Sequence, residues 1–337
     1  MHTQLIITAA LLSTAALAAA DPVKVNALNF ARAETDSYFA QFSQQAGGLA
    51  KFHHIRVPTP IATQNVVRMQ RDTLYSSAVF DLDAGPVTLS LPDAGKRFMS
   101  VLIVNQDHYA METLYAPAKR TFTREQVGTR YFAALMRTFM DPSNPADIKA
   151  ANAAQDAIKI EQAGSGRWEV PEWDRETHEQ AREALIALGA LGGTKENRFG
   201  KKEDVDPISW LIGSAVGWGG NPPRDAIYLP GYPAQGDGQT AYEVTIKDVP
   251  VDAFWSFTVY DAKGFMFENA HQAYSVNNVT AKRSVDGSVN IRFGGDPKGA
   301  DNYLAIQPGW NYVLRLYRPR QEILDGTWQA PELQPVR

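Results

Sequence analysis

The segment Asp-Ala-Phe-Trp-Ser-Phe-Thr-Val-Tyr-Asp (252–261) decides the fold class, together with Pro-Gly-Trp-Asn-Tyr-Val-Leu-Arg-Leu-Tyr-Arg-Pro (308–319). In both segments, aromatic and β-branched residues alternate with polar ones. This alternation is typical of half-buried antiparallel strands, because neighbouring side chains of a strand point to opposite faces of the sheet. It predicts a β-sandwich module over residues 226–337, in which residues 242–246 pair with residues 254–260.

The aromatic side chains of this module are expected to be core residues and not a binding platform. A platform for carbohydrate stacking would need them on one exposed face, whereas the alternation places them on both faces. Arg315 and Arg318 stand three residues apart, so we expect them to face opposite sides of their strand. The aromatic residues in question are Trp255, Trp310, Trp328, Tyr260, Tyr312 and Tyr317.

The rest of the chain predicts a mainly-β protein of two sandwich-like (jelly-roll-like) modules joined by a helical connector. The N-terminal module covers residues 21–144, the connector residues 145–225, and the C-terminal module residues 226–337. Predicted strands of the first module are residues 66–70, 73–82, 87–91 and 98–106, and residues 131–140 fit either a helix or a strand. Predicted helices are residues 25–45, 145–161, 175–191 and 206–216.

The first twenty residues differ from the rest of the chain. Residues 5–20 carry no charged side chain and end in three alanines before Asp21. An apolar core followed by small residues predicts a secretory signal peptide that is cleaved after Ala20 or Ala18. The alternative, a short membrane anchor, is disfavoured because a membrane span needs about 20 apolar residues. We therefore expect a periplasmic or secreted protein with no membrane span after signal cleavage.

The composition excludes several classes of function. The 337 residues include no cysteine, which rules out disulfides, thiol nucleophiles and cysteine metal sites. A formal net charge of -4 without a basic stripe argues against a nucleic-acid partner. No phosphate loop, dinucleotide fingerprint or Gly-x-Ser-x-Gly elbow is found, and we expect no cofactor. His53 and His54 are adjacent and lack the spacing that converges on one ion, so no metal site is expected.

Several motifs resemble a known pair of bacterial domains. Arg-Asp-Thr-Leu-Tyr-Ser (71–76) resembles a signature of the "twelve-fifty-four" domain of unknown function, and the C-terminal part looks like the "twelve-fourteen" domain that usually follows it. The C-terminal motifs are Phe-Trp-Ser (254–256), Val-Tyr (259–260), Tyr-Ser-Val-Asn (274–277), Asp-Gly-Ser (286–288), Arg-Leu-Tyr-Arg-Pro (315–319) and Asp-Gly-Thr-Trp (325–328). One departure is Ala305, where relatives usually carry proline, which implies a looser turn.

The resemblance extends over nearly the whole chain after residue 20. It implies two β-sandwich or jelly-roll-like modules with helical insertions, and export from a bacterial cell. It implies no particular activity, because the biochemical role of such proteins is largely unassigned. The function must therefore be argued from individual residues.

Arg71, Asp72 and Tyr75 form a polar group within an otherwise apolar strand region. Charges half-buried in a sheet are costly unless they are paired or used. Two interpretations are open. Arg71 and Asp72 either form a structural ion pair, or Arg71 binds a carboxylate or polar substrate while Asp72 and Tyr75 act as catalytic groups.

Asp107 and His108 follow the strongly apolar segment 98–106, at the end of a predicted central strand. A histidine beside an acid at a strand end is a candidate general base. The alternative is a hydrogen-bonded histidine in a turn, because adjacent strand residues point to opposite faces and Asp107 would not then orient His108.

The loop Trp-Gly-Gly-Asn-Pro-Pro (218–223) combines an aromatic ring, two glycines and two prolines. Glycines allow the backbone to approach a ligand closely, and prolines make the exit of the loop rigid. A rigid loop between two modules suits a ligand site, with Trp218 and Asn221 as its binding residues. A packed crossover with no ligand is the alternative.

The sequence leaves three functions open. The first is an exported enzyme, for example a hydrolase, that acts on a small polar or carboxylated molecule in the cleft between the modules. Asp72, Tyr75, Asp107 and His108 are its predicted catalytic residues. The second is a non-catalytic periplasmic binding or envelope-associated protein that uses the same cleft. The third is a structural module whose polar clusters fix the register of the strands.

Overall fold

The computed structural model describes residues 21–64, 66–193 and 197–336 of the chain. The predicted signal peptide, residues 1–20, lies outside the described residues. The predicted fold class is confirmed, because the protein is mainly β and contains several antiparallel sheets. The boundaries proposed between the modules and the connector stay predictions. Within the described ranges, none of the helices combines the length and the apolar character needed to cross a membrane.

The first module is a sandwich of a five-stranded and a three-stranded sheet. The large sheet has the order β1-β2-β7-β4-β5, and the small sheet has the order β6-β3-β8. Apolar side chains of both sheets, such as Phe80, Val101 and Phe132 from one and Val87 and Leu89 from the other, form the core between them. The strands are β1 (His53–His54), β2 (Thr73–Asp81), β3 (Val87–Leu91), β4 (Met99–Asn105), β5 (Ala110–Tyr115), β6 (Ala118–Phe122), β7 (Tyr131–Phe139) and β8 (Lys159–Glu161).

Helices cover the other face of the large sheet. Phe39 of the first helix packs with Val79 and Tyr131 of the sheet. The first helix ends at Gly47, whose φ of 71° is the left-handed conformation that favours glycine. The helices are α1 (Phe30–Ala46), α2 (Arg124–Val127), α3 (Pro145–Asp156), α4 (Arg175–Ala190), α5 (Pro207–Val216) and α6 (Gln321–Leu324).

The second module is a sandwich of two four-stranded sheets, with the orders β12-β11-β15-β9 and β14-β13-β10-β16. Its core combines Trp255 and Phe257 of one sheet with Val244, Ile291 and Phe293 of the other. The strands are β9 (Ala226–Gly231), β10 (Tyr242–Ile246), β11 (Trp255–Tyr260), β12 (Ser275–Asn277), β13 (Val289–Phe293), β14 (Tyr303–Leu304), β15 (Asn311–Tyr317) and β16 (Gln334–Pro335).

The predicted pairing of residues 242–246 with residues 254–260 is wrong. Strand β10 pairs with β13 and β16, and β11 pairs with β12 and β15. The two segments lie in opposite sheets, and their apolar side chains face each other across the core. Alternation identifies a strand and its buried face, but it does not say whether the next strand along the chain is a neighbour in the sheet or a partner across the sandwich.

Other elements differ in detail from the prediction. The ambiguous residues 131–140 form strand β7, which lies between β2 and β4 at the middle of the large sheet. Residues 66–70, predicted as a strand, are turns and irregular structure. The helix predicted to reach residue 161 ends at Asp156, and the chain then forms strand β8 at the edge of the small sheet.

The sheet β12-β11-β15-β9 of the second module, which we call the inner sheet, has two different faces. Along β11, the residues Trp255, Phe257 and Val259 point into the sandwich core. The alternate residues Ser256 and Thr258 point outward, yet both are fully buried. An outward face that is buried must be covered by another part of the chain. Here the covering part is the first module, and the junction between the modules has a polar part and an apolar part.

Candidate functional site at the junction of the modules

A row of polar side chains crosses the inner sheet of the second module. Tyr228, Arg315, Ser256 and Asn277 are direct neighbours on strands β9, β15, β11 and β12. Direct neighbours in a sheet share a face, so these four side chains all point toward the first module. The alternation seen in the sequence therefore builds a continuous polar strip on this face.

A second row crosses the large sheet of the first module. Tyr75, Arg137, Ser100 and Tyr115 are direct neighbours on strands β2, β7, β4 and β5. Tyr75, Arg137 and Tyr115 are half-buried, and Ser100 is buried. The two rows belong to different modules and meet at the junction.

The connector loop, residues 218–225, ties the two rows together. Asn221 accepts a hydrogen bond from Nη1 of Arg137 at 3.1 Å and donates one through Nδ2 to the hydroxyl of Tyr228 at 2.7 Å. At the far end of the loop, Oδ1 of Asp225 accepts from the hydroxyl of Tyr115 at 2.7 Å. Gly220 precedes Asn221, and a Cβ there would lie only 2.3 Å from the ring of Phe199. The glycine therefore lets the loop pass close to that ring and place Asn221 between the rows.

Asp72 is fully buried at the start of β2. Its Oδ1 accepts a hydrogen bond from Nδ2 of Asn277 at 3.0 Å, and its Oδ2 has no partner among the described residues. Burial raises the pKa of Asp72, although Asn277, Ser256 and Arg315 act against the rise. Gln70 connects Asp72 to Tyr75, because its Oε1 accepts from the backbone N–H of Asp72 and its Nε2 donates to the hydroxyl of Tyr75.

Arg315 lies at the centre of the buried row and is 3% exposed. Nη1 donates to Oγ1 of Thr258 at 2.9 Å, and Nη2 donates to the backbone carbonyl of Arg68 at 2.7 Å and to the hydroxyl of Tyr260. Burial alone would lower the pKa of Arg315, but Tyr260, Tyr317 and Asp72 raise it above its ordinary value. The side chain therefore stays charged and binds the second module to residues 68–72 of the first.

Arg137 has a different environment from Arg315. Its guanidinium lies 5.7 Å from the ring centre of Tyr75 and donates to the amide of Asn221. In the described part of the chain, Arg137 forms no ion pair with a carboxylate. Burial acts to lower the pKa of Arg137, and the neighbouring Tyr228, Tyr75 and Tyr317 raise it by more. We call Asp72, Tyr75, Arg137, Asn221, Tyr228, Arg315 and Tyr317 the junction cluster.

The predicted site residues separate into two groups. Asp72, Tyr75 and Asn221 belong to the junction cluster. Arg71 is next to it but turns away, because its guanidinium donates to the backbone carbonyl of Thr59 and lies 5.2 Å from the ring centre of Tyr274. No ion pair joins Arg71 to Asp72 among the described residues, and burial lowers the pKa of Arg71.

Asp107, His108 and Trp218 form a separate group beneath α1. His108 is 3% exposed, and its Nε2 accepts a hydrogen bond from the backbone N–H of Gly219 at 2.9 Å. Burial lowers the pKa of His108 to about 3, so the imidazole is neutral. Asp107 instead accepts from Nε of Arg32 at 2.8 Å. Their catalytic roles stay predictions, and the two side chains point to different partners.

Trp218 anchors the connector loop on the first helix. Its Nε1 donates to Oγ1 of Thr35 at 3.0 Å, and its ring stacks on Tyr38 at 4.2 Å between centroids. These contacts fix the start of the loop and place Trp218 away from the two polar rows. Among the described residues, no three histidine, aspartate or glutamate side chains come together in a way that could hold a metal ion.

Arg137 and Arg315 were both missed as site residues by the sequence reasoning. A signal for each was present, because an arginine stands in the middle of an apolar strand, in Leu-Met-Arg-Thr-Phe (135–139) and in Val-Leu-Arg-Leu-Tyr (313–317). A charge in a buried strand is costly unless it has a use or a partner. Arg137 was not assigned because residues 131–140 fit either a helix or a strand. Arg315 was considered only as a pair with Arg318, which lies three residues away.

The raised pKa of Asp72 predicts a pH dependence of stability. Between the ordinary value of 3.8 and the raised folded value, the folded state binds the proton more tightly than the unfolded state. The free energy of unfolding must therefore fall as the pH rises through this window. In Asp72→Asn this fall is absent, so the stability of wild type relative to the variant decreases as the pH rises above the ordinary pKa of 3.8, as measured by urea unfolding.

Asp237→Asn is the matched control. Asp237 is an exposed carboxylate whose pKa is lowered by hydrogen bonds from the backbone N–H groups of Thr240 and Gln239. The pH dependence of stability that Asp237 contributes therefore lies below the ordinary pKa of 3.8. Above about pH 4, the difference in the free energy of unfolding between Asp237→Asn and wild type stays level. A level difference for Asp72→Asn as well would contradict the burial argument.

Comparison with known proteins gives one family match in each half of the chain. Residues 49–121 match the family described as protein of unknown function (DUF1254), and residues 231–321 match the family described as protein of unknown function (DUF1214). The junction cluster includes residues of both matched regions. A search of curated proteins gives no match.

Two solved structures share the fold. The crystal structure of the VPA0106 protein from Vibrio parahaemolyticus is 18% identical, with a TM-score of 0.70 over 92% of this chain and 98% of the other. The crystal structure of an uncharacterised protein from Burkholderia cenocepacia is 13% identical, with a TM-score of 0.53 over 92% of this chain and 87% of the other. At such identities the likeness concerns the fold alone. The predicted resemblance is confirmed, because the chain matches both the DUF1254 and the DUF1214 family models in the expected order.

Proposed function

We propose that the protein is exported and that its junction cluster binds a small molecule through a carboxylate group. The observation that carries the proposal is Arg137, a half-buried guanidinium with no carboxylate partner among the described residues. A guanidinium binds a carboxylate through two parallel hydrogen bonds, and such bonds are stronger when water is largely excluded. The ligand would supply the negative charge that the protein does not place beside Arg137.

The surroundings of Arg137 support this role. Tyr75, Tyr228 and Tyr317 lie near the guanidinium, and their hydroxyls are suited to hydrogen-bond the polar groups of a ligand. Tyr228 is 40% exposed, and Tyr75 is half-buried, so this end of the cluster faces solvent. Arg315 and Asp72, which are fully enclosed, hold the two modules in register around the site. The ligand would therefore enter beside Tyr228 and Tyr75.

The uncharged segment 5–20, with small residues before Asp21, supports export to the periplasm or the exterior. The absence of cysteine in the sequence suits either compartment, because folding then needs no disulfide chemistry. A binding protein and an enzyme are both compatible with export.

Hydrolysis of the bound molecule is the second candidate function. The observation that favours it is the buried carboxyl group of Asp72, whose raised pKa suits a general acid, linked through Gln70 to the hydroxyl of Tyr75. Asp72 and Tyr75 would then act on an ester or amide bond elsewhere in the molecule whose free carboxylate Arg137 binds.

The experiment is a thermal-shift screen of small carboxylates, each beside its uncharged amide. A carboxylate at 100 times its dissociation constant adds about 2.7 kcal/mol to the free energy of unfolding, whereas the amide adds much less. In Arg137→Gln we expect binding to weaken by about 10-fold to 150-fold, which corresponds to the loss of a charged hydrogen-bonding group. Arg175→Gln, which changes an exposed arginine at the start of α4, serves as the matched control and keeps the wild-type affinity.

The outcomes separate the candidates. A shift that is equal in wild type and Arg137→Gln would overturn the proposed site, and no shift with any carboxylate would overturn the proposed ligand class. Incubation with the monomethyl ester of a dicarboxylate, which keeps one free carboxylate for Arg137, followed by proton NMR, tests hydrolysis. Release of methanol by wild type but not by Asp72→Asn would support hydrolysis, and an intact ester would overturn hydrolysis and leave binding to be decided by the thermal shift.

A further inference from the structure

A groove with a cavity volume of about 540 Å³ lies at the junction, apart from Arg137. It is formed by the start of β4 and the end of β5 in the first module and by residues 252–254, 279–280 and 318 of the second. Cavities of about 300–1,000 Å³ are typical of small-molecule sites, and such sites are common at domain junctions. None of the residues assigned to the junction cluster lines this groove.

Aromatic rings form one wall of the groove. Phe98, Phe139 and Phe254 all line it, and the ring of Phe254 lies 5.3 Å from that of Phe98 and 5.0 Å from that of Phe139. On its other side Phe254 stacks on Tyr317 of the junction cluster at 4.3 Å between centroids. The aromatic wall therefore separates the groove from the cluster, and the half-buried Phe98 presents its apolar surface to a ligand with the buried Phe139 and Phe254 packed behind it.

Most of the charged groups of the groove are already paired. Nη2 of Arg97 lies 2.6 Å from Oδ1 of Asp147, and Asp252 accepts from Nε of Arg320 at 2.6 Å. The carboxylate of Asp141 accepts from the backbone N–H and the hydroxyl of Ser143. These groups shape the groove, but their hydrogen-bonding capacity is largely used.

Two cations are left for a ligand. Lys96 is exposed and forms no ion pair with any described residue. Arg318 lies 4.0 Å from its nearest carboxylate, that of Asp252, and its guanidinium stands 4.7 Å from the ring centre of Tyr115. Stacking on a ring holds a guanidinium in place while its N–H edge stays free to bind an anion.

The backbone also holds Arg318 at the groove. Its φ of 51° is a left-handed conformation that is costly for a residue other than glycine. The backbone N–H of Arg318 donates to the carbonyl of Asp225 at 2.9 Å, while the carboxylate of Asp225 accepts from the hydroxyl of Tyr115. Asp225 thus fixes both Arg318 and the ring of Tyr115 on which Arg318 stacks. Outliers of this kind are often found at ligand sites.

We propose that this groove binds a monocarboxylate with an apolar body. The carboxylate lies between Lys96 and Arg318, and the hydrocarbon part lies against Phe98 and the adjoining rings. The requirement for an apolar body follows from the aromatic wall, and the requirement for a negative charge follows from the two cations without close partners. The site does not involve Arg137, so this inference and the proposed function can fail separately.

The test is a calorimetric titration with 4-phenylbutyrate, and with 4-phenylbutan-1-ol as the uncharged analogue. The wild-type protein is expected to bind 4-phenylbutyrate at least about 10-fold more tightly than the alcohol, since the alcohol cannot use the two cations. The double variant Lys96→Ala, Arg318→Gln removes this preference. Lys96→Ala alone changes only an exposed side chain, so it tests the proposal even if Arg318→Gln disturbs the turn. This single variant is expected to keep part of the preference for the acid over the alcohol.

Two further variants complete the design. Lys263→Ala, which removes an exposed lysine elsewhere, keeps the wild-type affinity, and Arg137→Gln also keeps it. Equal binding of acid and alcohol, or unchanged affinity in the double variant, would overturn the proposal. Loss of 4-phenylbutyrate binding in Arg137→Gln alone would move the ligand to the junction cluster and would leave the groove without a role.

Discussion

Replacing Arg315 by methionine is expected to lower the free energy of unfolding by about 2–5 kcal/mol. The guanidinium donates to Thr258, to the carbonyl of Arg68 and to Tyr260, and its row lies at a buried face. Methionine fills a similar volume but donates no hydrogen bond. A buried acceptor that loses its donor costs about 1–3 kcal/mol, and at least two acceptors lose theirs. Urea unfolding at pH 7 measures the change.

Two further variants test the cause of this loss. Arg315→Lys keeps the charge but not the fork of donors, so it should recover only part of the stability. Arg175→Met makes the same replacement at an exposed position and should change stability by less than about 0.5 kcal/mol. If Arg315→Met were as stable as wild type, the junction would not depend on these hydrogen bonds.

Phe254→Ala is expected to cost about 3–5 kcal/mol, which is typical when a fully buried aromatic ring is removed. Phe254 is 1% exposed and packs against Phe139 of the first module and Tyr317 of the second. Its loss leaves a cavity at the apolar part of the junction. We expect the unfolding transitions of the two modules to separate, as seen by comparing tryptophan fluorescence with far-ultraviolet circular dichroism across a urea titration.

The matched control for this prediction is Tyr232→Ala. Tyr232 is 71% exposed, and its removal should change stability by no more than about 0.5 kcal/mol. Phe254→Leu, which leaves a smaller cavity, should lie between wild type and Phe254→Ala. A single sharp transition for Phe254→Ala with a wild-type midpoint would show that the aromatic wall does not couple the modules.

The fold was predictable where the signal is local. Residues 314–316 read apolar, polar, apolar, and the structure places Leu314 and Leu316 in the core and Arg315 on the opposite face. The segments 242–246 and 254–260 were both recognised as strands. Their pairing was wrong, because pairing depends on contacts between distant segments, such as β11 with β15, that alternation does not encode.

The candidate site was predictable only in part for a related reason. Asp72 and Tyr75 stand close in sequence, and Asn221 lies in a loop of unusual composition, so each could be noticed. Arg137 became visible as a site residue only once β7 was known to be a strand with Tyr75 as its neighbour. Asp107 and His108 were predicted as a site because an acid and a base are adjacent in sequence. In the fold they have different partners, Arg32 and Gly219, which come from distant parts of the chain.

The polar outer face of the second module has a consequence for folding during synthesis. Residues 226–336 hold all the strands of this module, so its sandwich core can form without the first module. Until docking, the part of the face that carries Ser256, Thr258 and Asn277 offers hydroxyls and amides to water, beside apolar residues such as Val313 and Phe254. Such a face attracts other nascent chains far less than an apolar one. The chain can therefore complete two cores independently and join them afterwards, and the polar strip reduces the apolar surface that is exposed until they join.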